Sequence, residues 1–320
     1  MILSYLSIFL FFLLIALVYY RLALRFDIVD RPNSRSSHTK VTVRGGGILI
    51  PVAVLLWWMA YDFQNTWMIL GMMWIAAISM LDDMFDISRL LRFGIQFLAL
   101  SFAFWDLNLF SQIDWYLLPV FYFFGLGVIN AINFMDGING ITGLYSLVFF
   151  GSLLAVNEYL PIFPEQLLSY QILALLVFFI FNLRKRALMF AGDIGSISLA
   201  YLMIYLLTKW YLVDHNPIIV LFLLVYGIDV FFTILRRLIK GEKVTEPHRT
   251  HLYQYLVNQV KIDHVIIALV YAILQLLINF GLFIYYGEYP NLTIAWAIMI
   301  ALSLIYLALK KRIREKYHLN

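Results

Sequence analysis

TWMILGMMWIAAISMLDDMFD, Thr66 to Asp86, runs an uncharged, mostly apolar segment straight into two adjacent aspartates and a third. A carboxylate at the centre of a membrane helix costs about 2.5–3.5 kcal/mol on insertion scales, and less near the interface. Two further segments repeat the pattern: Asn130-Ala131-Ile132-Asn133-Phe134-Met135-Asp136-Gly137 and Gly192-Asp193-Ile194-Gly195-Ser196. Carboxylates and amides at three separate span ends point to one shared polar site for a cation or a phosphate.

The rest of the chain fits that reading. Of its 320 residues 63% are hydrophobic and 13% charged, about half the charge of a soluble domain. Apolar runs of membrane-crossing type recur throughout. We place spans at about 2–24, 46–62, 66–81, 91–106, 115–130, 138–157, 167–182, 194–209, 217–235, 264–286 and 292–310. With this placement every Lys and Arg except Lys209 falls on one set of alternate loops. That segregation is the positive-inside pattern, and a missed span would scramble it. The expectation is an all-α polytopic membrane protein of about eleven transmembrane helices, N-terminus outside and C-terminus cytoplasmic. The first span has its positive charges after the apolar run, so it reads as a retained anchor rather than a cleaved signal. The longest hydrophilic stretch, about Arg236 to Asp263, is too short to bury a core of its own. One integral-membrane domain, 1–320, follows. With no cysteine, thiolate metal sites and Cys nucleophiles are excluded.

All the acidic clusters fall on the cytoplasmic face, whereas a transporter usually places ionisable residues near the midplane. A substrate head arriving from the cytosol is therefore expected. Each cluster has two readings. Asp82 and Asp86 would share a face of a continuing helix and hold one cation between them, or cap the helix and pair with Arg89 and Arg92. Adjacent carboxylates at a boundary suit Mg²⁺-phosphate chemistry, since Mg²⁺ takes hard oxygen ligands. Asn130, Asn133 and Asp136 lie along one helical edge before the glycines of Asp136-Gly137-Ile138-Asn139-Gly140, which let backbone approach a ligand. A polar hairpin satisfied by its own amides is the alternative. Gly192 to Ser196 opens a helix, either as an anion site or with Asp193 as a plain N-cap; Phe190 just before it packs at the interface or stacks on a base. His248, Arg249 and His251, in Pro247-His248-Arg249-Thr250-His251, can donate to a diphosphate or a sugar, or form an ordinary orienting loop. Asp229 pairs with a loop cation or faces the site. Lys40 and Arg44, in the basic, glycine-ended first loop, bind anionic heads or phosphate, or merely orient the chain.

Taken in order along the chain, these motifs resemble the polyprenyl-phosphate N-acetylhexosamine-1-phosphate transferase superfamily. The resemblance rests on His38 through Val43-Arg44-Gly45-Gly46, Asp82-Asp83 with Arg92 downstream, Asn130 to Gly137, and Gly192 to Ser196. It implies attack of a polyprenyl (undecaprenyl) phosphate on a UDP-N-acetylhexosamine, with release of UMP. It further implies Asn133 and Asp193 as Mg²⁺ ligands, with Mn²⁺ the alternative ion. Phe190 becomes the uracil-stacking residue, and Asp136 and Asn139 nucleotide contacts. Asp82 and Asp83 orient or deprotonate the lipid phosphate, a covalent aspartyl route being the alternative, and Arg92 and Arg249 assist. Membrane lipids and a second copy are the other partners expected, and no nucleic acid. Pro-His-Arg-Thr-His departs from the three-His loop of peptidoglycan-precursor enzymes, and their long loop is missing. The chain looks closer to the branch that starts O-antigen or other surface polysaccharides at the inner (plasma) membrane. GlcNAc is the first candidate sugar, then GalNAc, QuiNAc or FucNAc. A transporter of a lipid-linked or phosphorylated solute, and a catalytically silent scaffold, are the rival classes.

Overall fold

A computed structural model describes residues 2–32, 40–85, 87–243, 248–284 and 292–319. His38, Asp86 and Pro247, named above, lie outside the described residues. Among the described residues there are thirteen α-helices, in order α1 (Ile2–Arg25), α2 (Leu49–Ala60), α3 (Thr66–Met84), α4 (Arg89–Asp106), the short α5 (Leu109–Gln112), α6 (Leu118–Met135), α7 (Ile141–Asn157), α8 (Glu165–Asn182), α9 (Gly192–Asp214), α10 (Leu224–Ile239), the short α11 (Leu252–Asn258), α12 (His264–Asn279) and α13 (Leu292–Lys316). A two-residue pairing of β1 (Val29–Asp30) with β2 (Thr42–Val43) is the only sheet among the described residues.

Each of the eleven anticipated spans overlaps one of these helices, although the 217–235 span begins in a 3₁₀ turn and residues 285 and 286 of the 264–286 span lie outside the described residues. Among the described residues eight segments are long and apolar enough to cross a membrane, as in an all-α, multi-pass membrane protein. Gly46–Ala60 and Ile141–Asn157 are apolar but shorter. The remaining helix, α4, carries Arg89, Arg92 and Asp106 within its own length.

The core is α9. Its apolar residues run all round rather than along one face, the pattern of a helix enclosed by others, and 78% of its most apolar window is buried, against 22% for α1 and 11% for α13. Close approach of α3 to α9 depends on Gly71, where an added Cβ would lie 2.2 Å from the Tyr201 hydroxyl. That hydroxyl instead donates to Met68 O at 3.0 Å. Small residues permit such helix contacts in lipid, where burial of apolar surface alone supplies little drive. Where the chain unwinds before α10, a 3₁₀ turn over Pro217–Leu223 exposes backbone groups that lipid cannot satisfy. Gln275 of α12 supplies them, donating to Leu221 O and accepting from Val225 N.

Candidate active site

The third helix ends where its carboxylates begin to matter. Phe85 is extended, at φ −139° and ψ 146°, so α3 stops at Met84 and the continuing helix that would align Asp82 with Asp86 is not formed. The two adjacent aspartates take different partners instead. Asp83 turns inward, its side chain fully buried. Its Oδ1 accepts the backbone N–H of Asp193 at 3.1 Å and its Oδ2 that of Ile194 at 3.3 Å. Those are unpaired donors of the first turn of α9, where the positive dipole end favours an anion. The helix N-terminus is thus occupied by a carboxylate from α3, and Asp193 makes no side-chain cap at that end. Asp82 turns outward to Arg92 at 2.5 Å and also accepts Ile87 N. The same Arg92 nitrogen lies 3.6 Å from Asp193 Oδ2, so one guanidinium bridges two of the three carboxylates. Arg44 Nε stands 3.8 Å from Asp83 Oδ1.

Glycine makes this approach feasible. Gly192 has φ +72°, and a Cβ there would lie 2.4 Å from Asp83 Oδ2 and 2.8 Å from Gly45 N. The segment 43–47 lies against the lead-in to α9: Phe190 N donates to Val43 O, Gly46 N to Phe190 O and Gly47 N to Ala191 O. This brings Arg44 to the carboxylates. Tyr19 of α1 steadies it by donating to Arg44 O at 2.7 Å.

At the end of α6, Asn133 joins the cluster through Ser196, whose hydroxyl donates to Asn133 Oδ1 at 3.0 Å. Asn130 does not join: its amide donates to Leu126 O of its own helix. Asp136 ends α6. Burial pushes its carboxyl up to about 6; the Asp83 charge adds to this and Arg44 opposes it. Asn139 is buried and donates to Arg184 O at 2.8 Å, which ties the 137–140 turn to the 184 loop. Asn182, which sequence reading passed over as the end of an apolar run, accepts Gly140 N and donates to Met189 O.

The 248–251 segment abuts this corner. Tyr253 donates to Phe134 O at 2.9 Å, and the His248 ring meets Phe134 edge-on at 6.3 Å. Burial lowers the His248 imidazole to about 4, with His251, Arg237 and Lys310 nearby pushing the same way. His251 is enclosed, its Nδ1 3.3 Å from Asp229. Arg249 and Phe190 are half-buried and Lys40 is exposed.

Direct contacts therefore link Arg44, Asp82, Asp83, Arg92 and Asp193, Asn133 joins them through Ser196, and Asp136 lies within electrostatic reach of Asp83 and Arg44, with the His248 segment beside the end of α6. Among the described residues no group of three or more His, Asp or Glu is arranged to hold an ion alone. Asp193 and Asn133 carry the hard oxygen donors that suit Mg²⁺, an ion that usually takes one or two carboxylates and completes its shell with water and substrate phosphates.

Comparison with known proteins bears on the same region. Residues 65–211 match the model of glycosyl transferase family 4. That supports the polyprenyl-phosphate N-acetylhexosamine-1-phosphate transferase superfamily. The matched stretch holds Asp82, Asp83, Arg92, Asn133, Asp136 and Asp193. The chain is 27% identical to an undecaprenyl-phosphate alpha-N-acetylglucosaminyl 1-phosphate transferase of Escherichia coli O157:H7, over 94% of this chain and 88% of that protein. It is 25% identical to a probable undecaprenyl-phosphate N-acetylglucosaminyl 1-phosphate transferase of Bacillus subtilis, over 76% and 74%. A Yersinia pestis protein of the first description is 26% identical over 78% and 75%.

Proposed function

We propose that this protein transfers an N-acetylhexosamine-1-phosphate from a UDP-sugar to undecaprenyl phosphate and releases UMP. The observation that carries the reading is Arg92, which bridges Asp82 and Asp193 while Asp83 holds the start of α9. Carboxylates far apart in sequence are thereby gathered beside two guanidinium groups. The relatives, described as undecaprenyl-phosphate N-acetylglucosaminyl 1-phosphate transferases, support the reaction class.

In this mechanism Asp82, the more exposed of the pair, orients the attacking lipid phosphate or takes its proton. Asp83 is committed to the backbone of α9 and acts by holding Asp193 in place. Arg92 and Arg44 offset the charge of two phosphate groups meeting, the electrostatic contribution that dominates such transfers. Asp193 and Asn133 would hold Mg²⁺, or Mn²⁺, which when bound neutralises the diphosphate as its bond breaks. Asp136 and Phe190 serve the nucleotide, and His248 and Arg249 the diphosphate or sugar. Asn139, whose amide is engaged by Arg184 O, shapes the nucleotide turn.

The eleven-span arrangement, with the site on the cytoplasmic face of the inner membrane, belongs to the same proposal. So do initiation of a surface polysaccharide, UDP-GlcNAc as first substrate and a homodimer. The test uses purified protein with UDP-GlcNAc, undecaprenyl phosphate and Mg²⁺. UMP release that needs all three, and that Asp193→Ala abolishes, supports the reading. Undiminished release in Asp193→Ala, or none from the unaltered protein with any UDP-N-acetylhexosamine, overturns it.

A further inference from the structure

Asp229 lies midway along α10 and is 1% exposed, yet donors from four elements reach its carboxylate. Leu252 N donates at 3.0 Å and His251 Nδ1 lies at 3.3 Å; both belong to the start of α11. The hydroxyls of Tyr271 on α12 and Tyr306 on α13 donate at 2.8 and 3.0 Å, and Thr233 on α10 adds a third at 3.2 Å. Lys310, a buried amine on α13, donates to Thr233 Oγ1 and to the Tyr306 hydroxyl. A carboxylate accepts only, so His251 is the donor of its pair. The other ring nitrogen, Nε2, is out of solvent and has no partner among the described residues. Burying that much polar surface is costly, and a well-packed apolar cluster is often at least as stable. Stability is therefore weak grounds for the arrangement, and what it holds is the more informative question.

What Asp229 clasps is the segment that runs from His248 into α11. That segment touches Phe134 through His248 and Tyr253, and Tyr253 leaves no room for a Cβ at Gly137. It is fixed on one side by Asp229 and presented on the other to the Asn133–Asp136 corner.

We propose that Asp229 is a positioning residue for the UDP-sugar segment 248–251, held in turn by Tyr306 and Lys310, so that the terminal helix governs UDP-sugar affinity through hydrogen bonds. His251 is then an anchor of the segment, and the substrate contacts fall to His248 and Arg249. The inference rests on the transferase reading for its choice of substrate, but not for the coupling itself.

Two measurements test it on the full-length protein: KM for each substrate, and hydrogen exchange of residues 248–258 without substrate. The variants are Asp229→Asn, Tyr306→Phe and Lys310→Met. Gln275→Leu, which breaks a different buried network, is the control for structural damage. Asp229→Asn is expected to raise KM for UDP-GlcNAc about tenfold, the equivalent of losing one charge-assisted hydrogen bond. Tyr306→Phe and Lys310→Met should raise it less, with KM for undecaprenyl phosphate unchanged and exchange at 248–258 faster. Gln275→Leu should lower the melting temperature without moving the ratio of the two KM values. Should Asp229→Asn fail to fold, Tyr306→Phe, which loses only a hydroxyl, carries the test. The proposal is overturned if these variants shift both KM values alike, or if exchange at 248–258 stays at the unaltered rate. Were the unaltered protein to release no UMP, the transferase reading would fall, and the exchange measurement would still decide the coupling.

Discussion

Asp83, at the end of α3, accepts the backbone N–H of Asp193 at the start of α9, 110 residues further on, at 3.1 Å. This contact welds the two acidic motifs into one unit and assigns different duties to adjacent aspartates. Asp83 completes the fold of the site, and Asp82 stays accessible beside Arg92.

Asp83→Ala should therefore damage structure and activity together. It leaves the buried N–H of Ile194 without an acceptor, at a cost of about 1–3 kcal/mol, and the partly buried N–H of Asp193 as well. We expect a lower melting temperature in detergent and no measurable UMP release. Asp82→Ala removes a partly exposed partner of Arg92 and should abolish release with a smaller thermal shift. Thermal unfolding alongside UMP release separates the two, and equal thermal shifts would contradict the division of roles.

Gly192→Ala is expected to cost at least about tenfold in UMP release. A positive φ disfavours alanine by roughly 1–2 kcal/mol, and its Cβ would lie 2.4 Å from Asp83 Oδ2. Gly94→Ala, on α4 with nothing within 4 Å of the new Cβ, is the matched control and should be neutral. Similar losses in the two variants would argue against the close approach.

The acid limb of the pH–rate profile is expected near 6, where burial has moved the Asp136 carboxyl. Ionised Asp136 accepts at both oxygens, and more strongly than the protonated acid, so UMP release should rise as pH passes through that value. Its folded pKa is raised, so the proton is held more tightly in the folded state. The associated stability is present below the ordinary carboxylate range and is lost as pH climbs through about 6. Asp136→Asn should accordingly flatten the limb, lower the plateau, and raise the melting temperature at pH 8 relative to the unaltered protein. A limb that persists in the variant assigns it to another group.

His248 titrates in the opposite sense. Its imidazole is lowered to about 4, so the neutral ring is favoured by the fold. Stability is complete above the ordinary histidine value of about 6.5 and is lost as pH falls towards 4. His248→Gln, which cannot take up that proton, should lose less thermal stability between pH 6.5 and 4.5. Melting curves across that range check this, and an unchanged pH slope would count against it.

Much of the fold was legible before any coordinates, because lipid requires each crossing segment to satisfy its own backbone. A helix therefore leaves an apolar run that needs no knowledge of its neighbours, as at Thr66 to Leu81 or Ile194 to Lys209. Short or charge-bearing helices such as α4 were less secure, since Arg89, Arg92 and Asp106 belong to its length. The motif residues were legible as polar exceptions in that apolar text. Their partners were not. The helical edge of Asn130, Asn133 and Asp136 says nothing of Asn130 turning back on Leu126, nor of Asn133 meeting Ser196.

The amino-acid order alone determined where helices form, which carboxylates and amides sit at their ends, and which chemistry those groups favour. These properties depend on residues within a few turns of one another. Only the tertiary structure decided that Asp83 would cap α9, that Arg92 would join Asp82 to Asp193, and that Asp229 would gather His251, Tyr271 and Tyr306. Such pairings depend on which helices pack together and at what rotation, and a glycine such as Gly192 is intelligible only once its neighbour across the gap is known.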